Sequence, residues 1–198
     1  MARVQRKETS GRSAQRKQTA PETALTRAAG AAGHLVGKSI ATVAARVMPA
    51  GPHDPIEMLE RDHRRLEELF EKGEKTTERA AKGRMALLDT LKAELEMHEL
   101  MEEKVLYPAL KSHREAREIV LEGYQEHHVA DLLVKELERL PPTDERWGAK
   151  FKVLKENLEH HIEEEEGEMF RTARAVLGRE QLQSLGVRMA AMKARARR

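Results

Sequence analysis

Two stretches of this chain carry one pattern, and its chemistry is that of a cation site. Residues 158–170 read Leu158-Glu159-His160-His161-Ile162-Glu163-Glu164-Glu165-Glu166-Gly167-Glu168-Met169-Phe170, and residues 95–107 read Leu95-Glu96-Met97-His98-Glu99-Leu100-Met101-Glu102-Glu103-Lys104-Val105-Leu106-Tyr107. Aligned without a gap, both give Leu-Glu-x-His, a Glu four residues after the His, and an aromatic five residues after that Glu. Residues four apart share one face of a helix, so His98 with Glu102, and His161 with Glu165, each set an imidazole beside a carboxylate. An isolated acidic run beside a histidine is ordinarily a solvated helix face. The repeat argues otherwise, and its register selects His161 over His160 and Glu165 over Glu163, Glu164 and Glu166, which fall to supporting or solvent-facing positions.

The elements that must position these pairs can be read from breakers and apolar spacing. Pro49-Ala50-Gly51-Pro52 is a domain boundary, followed by Asp54 as a helix N-cap and Pro55 at the first helical position. A first helix then runs to about residue 78, with Ile56, Leu59, His63, Leu66, Leu69 and Phe70 on one face. A second begins after Gly83 and carries Met85, Leu88, Leu91, Leu95, His98, Glu102, Val105 and Leu106 before Pro108. A third spans roughly 114–140. Its stripe through Val120, His127, Ala130, Val134 and Leu137 turns His127 inward, whereas a rival stripe through Leu121, Tyr124, His128 and Leu132 would present His128 with Tyr124 as an oxygen donor. The fourth starts near Thr143, runs through Trp147, Phe151, Leu154, Leu158, His161 and Glu165 toward Met169, and closes at Gly178. Arg179 to about Arg195, with Leu182, Leu185, Val187, Met189 and Met192, reads as a short fifth helix lying on the others. His53 and His113 fall at helix boundaries and are expected to be exposed; His34 has no partners.

Composition narrows the chemistry. The chain of 198 residues has no cysteine, which excludes disulfides, iron–sulfur clusters and thiolate sites. Charged residues make up 35% of it and aromatics 3%, a profile of helices with wide polar faces. Charge is uneven: residues 1–50 are rich in Lys and Arg against only Glu8 and Glu22, and the tail after Gly186 carries Arg188, Lys193, Arg195, Arg197 and Arg198 with no acid. Such arms read as solubilising tails, or as weak contacts to nucleic acid, a membrane surface or an acidic partner. Residues 1–22 are too polar to order themselves, and residues 23–48 are Ala-rich and able to form a marginal helix. A flexible arm is favoured over an organellar transit peptide, which the acid-poor, Arg- and Ser-containing character resembles. No apolar run is long enough to span a bilayer. A soluble, cytoplasmic protein is expected.

The fold class expected is therefore all-α: an up-down-up-down four-helix bundle over residues 54–177, a short additional helix and basic tail over 179–198, and a flexible basic arm over 1–50. In such a bundle inward side chains of all four helices meet. Each helix offers one inward histidine, namely His63, His98, His127 (or His128) and His161, and two add Glu102 and Glu165. A buried ionised carboxylate needs a cation; imidazole and carboxylate without thiolate suit iron, manganese, zinc or copper. Six ligands with two carboxylates able to bridge suggest two ions.

With Asp62-His63, His98-x-x-x-Glu102 ending in Leu106-Tyr107-Pro108, Glu126-His127-His128, and His160-His161-x-x-x-Glu165-Glu166 ending in Met169-Phe170, the chain resembles the hemerythrin-like, or HHE cation-binding, family over about residues 54–177. The resemblance implies a non-haem di-iron centre with two bridging carboxylates and an oxo or hydroxo bridge. It implies His63, His98, Glu102, His127 or His128, His161 and Glu165 as metal ligands, and Glu99 as an outside candidate, since in some members the residue after the second-helix histidine also ligates. The oxygen carriers of the family place two histidines four apart on the third helix. Here Gly123 and Tyr124 stand where the extra histidine would be, and the fourth-helix His-to-carboxylate spacing is four where the carriers have five. Both departures point away from simple oxygen carriage and toward binding, sensing or reaction of oxygen, peroxide or nitric oxide. The alternative is an iron-sequestering or regulatory protein whose basic arms contact a partner or nucleic acid. No nucleophile–base pair, phosphate loop or nucleic-acid fold signature is present.

Overall fold

The computed structural model describes residues 53–196; the expectations for residues 1–50 and for the last two arginines lie outside them. Seven α-helices follow: α1 (Pro55–Glu74), α2 (Ala81–Met101), α3 (Tyr107–Leu110), α4 (Arg117–Arg139), α5 (Glu145–Glu164), α6 (Phe170–Val176) and α7 (Arg179–Ala196). A π-helical turn, Glu102–Leu106, welds α2 to α3, and a second, Glu165–Met169, welds α5 to α6. The result is four long rods with α7 laid alongside. In the bundle, α1 neighbours α2 and α5, and α4 neighbours α5 and α2.

Local chemistry sets the ends. Asp54 caps α1, its Oδ1 accepting from the backbone N–H of Ile56 at 2.9 Å and of Glu57 at 3.2 Å, with Pro55 opening the helix. Asp144 caps α5 in the same way, accepting from the N–H of Arg146 at 2.8 Å. Leu140 is extended at ψ 135° ahead of Pro141, as a residue before proline must be, and ends α4. Gly178 stops α6 at a φ of 29°, a left-handed conformation that a side chain would resist.

Several details differ from the sequence reading, the first being that α1 ends at Glu74 rather than near residue 78. α2 starts at Ala81, not after Gly83: a 3₁₀ turn over Glu78–Ala80 feeds it, Gly83 sits in its first turn, and Met85 faces solvent. The second rod passes Pro108 and ends at Leu110, because the preceding π turn has already broken the hydrogen-bond ladder that a proline would interrupt. His113 is half-buried rather than exposed. α7 follows the expected span from Arg179 to within one residue at its end, 18 residues in all; it buries Leu182, Leu185, Gly186 and Met189, while Val187 is exposed.

The apolar core is split. One cluster, including Ile56, Leu59, Met101, Leu106, Tyr107, Val120, Met169, Phe170 and Met189, fills the end covered by α7. The other, including Leu66, Phe70, Leu91, Leu95, Leu137, Trp147, Phe151 and Leu158, fills the opposite end, where the Trp147 and Phe151 rings stack at 5.0 Å and the Arg84 guanidinium lies 4.7 Å over Trp147. His63, His98, His127 and His161 lie in sequence between members of the two clusters on every rod, so a polar layer crosses the bundle between two greasy ends. Burial of the apolar ends, at roughly 25 cal/mol per Å², supplies the free energy that lets the layer exist.

The attachment of α7 rests on a close approach. A Cβ at Gly186 would collide with the backbone carbonyl of His53 and lie 3.2 Å from the Pro55 nitrogen, neither of which is a yielding side chain. Gly186→Ala is therefore expected to lower stability by about 1–3 kcal/mol through overpacking, measured by urea unfolding. The roughly 1 kcal/mol gained when alanine replaces a glycine inside a free helix would appear instead if that contact did not exist.

Candidate metal centre

The polar layer is built from two imidazole pairs and two carboxylates. His63 Nε2 lies 3.1 Å from His98 Nε2, and His127 Nε2 lies 3.2 Å from His161 Nε2. Glu102 Oε2 sits 3.3 Å from His98 Nε2 and 3.2 Å from His127 Nε2, touching one member of each pair. Glu165 Oε2 does the same, 3.3 Å from His63 Nε2 and 3.6 Å from His161 Nε2. Donor atoms of His63, His98, Glu102 and Glu165 all fall within 4.8 Å of one another, as do those of Glu102, His127 and His161. Glu102 belongs to both groups, and Glu165 reaches both imidazole pairs.

Outer carboxylates fix which nitrogen faces inward. Glu166 Oε1 accepts from His63 Nδ1 at 2.8 Å, Glu103 Oε1 from His127 Nδ1 at 3.2 Å, and Glu126 Oε2 from His161 Nδ1 at 2.7 Å. An ionised carboxylate only accepts, so the proton of each of these rings is on Nδ1 and the Nε2 lone pair points into the layer. Glu166 is itself held by Arg64 Nη2 at 2.8 Å; burial raises its pKa, but Arg64 and His63 outweigh burial and keep it below the usual range.

The π turns explain the aromatic five residues after each Glu. In each turn the backbone N–H of the fifth residue bonds back to the Glu carbonyl: Tyr107 to Glu102, and Phe170 to Glu165. On an ordinary α-helix residues five apart diverge by about 140°; the π turn brings both to the inner face. Phe170 then stacks on His63 at 5.7 Å, and Tyr107 on His127 at 5.5 Å. The two halves are related by an approximate two-fold that exchanges α1 with α4 and α2 with α5. Tyr107 breaks the symmetry, its hydroxyl donating to Glu165 Oε1 at 2.8 Å and lying 3.3 Å from His127 Nε2. Gly123 makes room for it, since a Cβ there would stand 2.6 Å from the phenol oxygen.

The residues fit a metal. Glu102 and Glu165 are fully buried, and both oxygens of Glu102 and Oε2 of Glu165 have no hydrogen-bond partner among the described residues. The Nε2 atoms of four imidazoles converge on the same space. Such a layer is costly without a cation and favourable with one. The titration directions agree. Burial, then Glu165, pushes Glu102 well up; burial also raises Glu165, but His161, His63 and His98 outweigh it and hold it low. Burial, then His63, drives His98 well down, and burial, then His161, lowers His127. Burial lowers His161 too, but Glu165 and Glu126 reverse that and leave it raised. Burial, then Glu102 and Glu165, raises Tyr107 well above its ordinary value, so its hydroxyl stays a donor.

Of the alternates, His128 faces solvent on the outer side of α4. Tyr124 is half-buried, packs edge-on against Tyr107 at 5.0 Å and bonds the Glu103 carbonyl at 3.5 Å, outside the layer. Glu99 is buried but lies outside both ligand groups; burial, then Asp131 and Glu103, pushes it up to about 8. His160 is exposed and groups with Glu126 and Glu164 at the surface. Sequence reasoning missed the Tyr107 hydroxyl as a polar partner of the layer, and missed Glu103 and Glu126 as anchors. A signal existed: Glu103 and Glu166 each follow an inward Glu, and Glu126 precedes His127 as Asp62 precedes His63.

A four-helix bundle crossed by a buried layer of imidazoles and carboxylates is a cation-binding helical protein by construction. Residues 54–173 match the family described as Hemerythrin HHE cation binding domain. Among solved structures, the chain is similar to a hemerythrin HHE cation binding domain-containing protein from Mycobacterium kansasii, with 28% identity and a TM-score of 0.65 over 73% of this chain and 87% of that one. No curated protein matches. The chain belongs to the hemerythrin HHE cation-binding family, whose domain binds metal cations. Among the described residues no helix is long and apolar enough to cross a membrane.

Without metal the layer makes stability depend on pH with a definite sign. Glu99 is raised to about 8, and Glu102 and His161 are raised as well, so from pH 7 to about 8 the folded state binds more protons than the unfolded one. Stability that is complete below the unfolded pKa values is lost as pH rises toward the folded ones, by up to about 1.4 kcal/mol per pH unit for each proton involved. The lowered His98 and His127 are neutral in both states across this window and add no slope. The chelator-stripped protein is expected to show a falling Tm between pH 7 and about 8, with a shallower fall in Glu99→Gln; a flat profile in both would contradict this electrostatic account.

Proposed function

We propose that His63, His98, Glu102, His127, His161 and Glu165 hold two iron ions, with Glu102 and Glu165 shared between them, and that the domain binds or reacts with oxygen, peroxide or nitric oxide. The observation that carries the reading is the pair of fully buried carboxylates, whose free oxygens face four converging imidazole nitrogens. His and carboxylate donors without sulfur suit iron, which when bound supplies redox chemistry and open positions for a small ligand.

The chain's own residues supply the rest. Glu166, Glu103 and Glu126 hold three rings with Nε2 inward. The apolar clusters on both sides of the layer exclude bulk water. Tyr107 holds a proton at its hydroxyl beside Glu165 Oε1 and His127 Nε2, in space that Gly123 leaves free. That phenol is a hydrogen-bond donor at one side of the layer only, since Phe170 is its counterpart across the two-fold.

Iron-replete expression should give about two irons per chain by elemental analysis, with a charge-transfer absorption band that peroxide or nitric oxide perturbs. His98→Ala and Glu165→Ala should each lower the metal content and, by losing the metal, lower Tm. Full iron occupancy with a spectrum indifferent to oxygen, peroxide and nitric oxide would favour sequestration instead. Absence of bound metal would overturn both readings.

A further inference from the structure

The two-fold that relates the halves of the layer predicts a carboxylate for each inward imidazole, and one is missing. His161 Nδ1 has Glu126, the residue before His127. The counterpart of Glu126 is Asp62, the residue before His63, and the counterpart of His161 is His98. Yet His98 Nδ1 is buried without a partner among the described residues. Asp62 is engaged elsewhere: its Oδ1 accepts from Lys193 Nζ of α7, and its Oδ2 is buried with no partner among the described residues. Lys193 lies one helical turn beyond Met189, the fully buried residue that seats α7 in the core, so the packing of α7 aims the ammonium at Asp62.

We propose that Lys193 is a positioning residue that withholds Asp62 from His98 and so makes the two metal sites unequal. This rests on the metal-binding reading above. A carboxylate on the outer nitrogen of a ligating imidazole fixes the ring and raises its basicity, and losing such a partner costs 10–100-fold in metal affinity. The ion held by His127 and His161 has both rings anchored, through Glu103 and Glu126. The ion held by His63 and His98 has one anchored ring, through Glu166, and one free. The ion on the His63/His98 side is therefore the labile one, and α7 controls its lability through a single ion pair. A C-terminal helix packed outside the four-helix frame thereby acts on the interior without contributing a ligand.

The test uses the full-length iron-loaded chain, with metal content measured before the experiment and metal loss to an excess of strong chelator followed spectroscopically. The native protein should lose its iron in two phases of equal amplitude. Lys193→Met frees Asp62 to accept from His98 Nδ1 and should slow the fast phase by about tenfold or more. The double variant Lys193→Met/Asp62→Asn should return to the native fast rate, and Glu126→Gln should accelerate the slow phase. A purely structural role for Lys193 would loosen α7 and speed the loss of iron, the opposite direction. Single-phase loss from native protein carrying two ions, or a fast phase unchanged or accelerated in Lys193→Met, overturns the inference while leaving the metal-binding reading intact. A native chain that holds no metal overturns that reading and this inference with it.

Discussion

The structure turns on two carboxylates, Glu102 and Glu165, buried in the middle of a bundle with free oxygens and, among the described residues, no lysine or arginine paired with them. Removing such a group from water costs several kcal/mol when it stays ionised and unpaired. Every unusual feature of the neighbourhood serves that constraint. Four imidazoles turn their Nε2 atoms toward the pair, outer carboxylates hold three of those rings, and apolar clusters close both sides. A cation offsets this cost, which couples metal binding to the stability of the fold.

The approximate two-fold makes the departures informative. The halves agree in the core of the layer: a His on α1 or α4, a His on α2 or α5, a Glu at the head of the π turn that follows, and an aromatic stacked on an imidazole. Where they differ, the requirement is asymmetry. Tyr107 adds a hydroxyl where Phe170 has none, Gly123 opens the space for it, and Asp62 turns outward to Lys193 where Glu126 turns inward to His161. One half of the layer is thus polar and anchored, and the other is flanked by hydrocarbon and tied to α7.

Much of this was legible in the sequence, for physical reasons that differ residue by residue. The four rods and the inward placement of His63, His98 and His161 follow from apolar spacing near 3.6, and the internal repeat separated Glu165 from its acidic neighbours. His127 over His128 was a narrow choice, made by the Val120–Ala130–Leu137 stripe and matched by their burial. The π turns were not legible, because a local five-residue hydrogen bond leaves no period, only an aromatic at an odd spacing. Pro108 accordingly read as a stop when the rod runs through it. The Tyr107 hydroxyl was hidden by the same turn, which swings it back to the inner face. Lys193 read as part of a basic tail, since a short-range pattern cannot show that one tail cation lies against a half-buried aspartate 131 positions away.

The central claim is that cations sit within the layer and are shared by its two carboxylates. Anomalous diffraction at the iron edge from crystals of iron-loaded protein tests it most directly. The account predicts two peaks, one against the Nε2 atoms of His63 and His98 and one against those of His127 and His161, with Glu102 and Glu165 bound to both. A layer without a peak, or iron found only at the surface group of Glu126, His160 and Glu164, would contradict it.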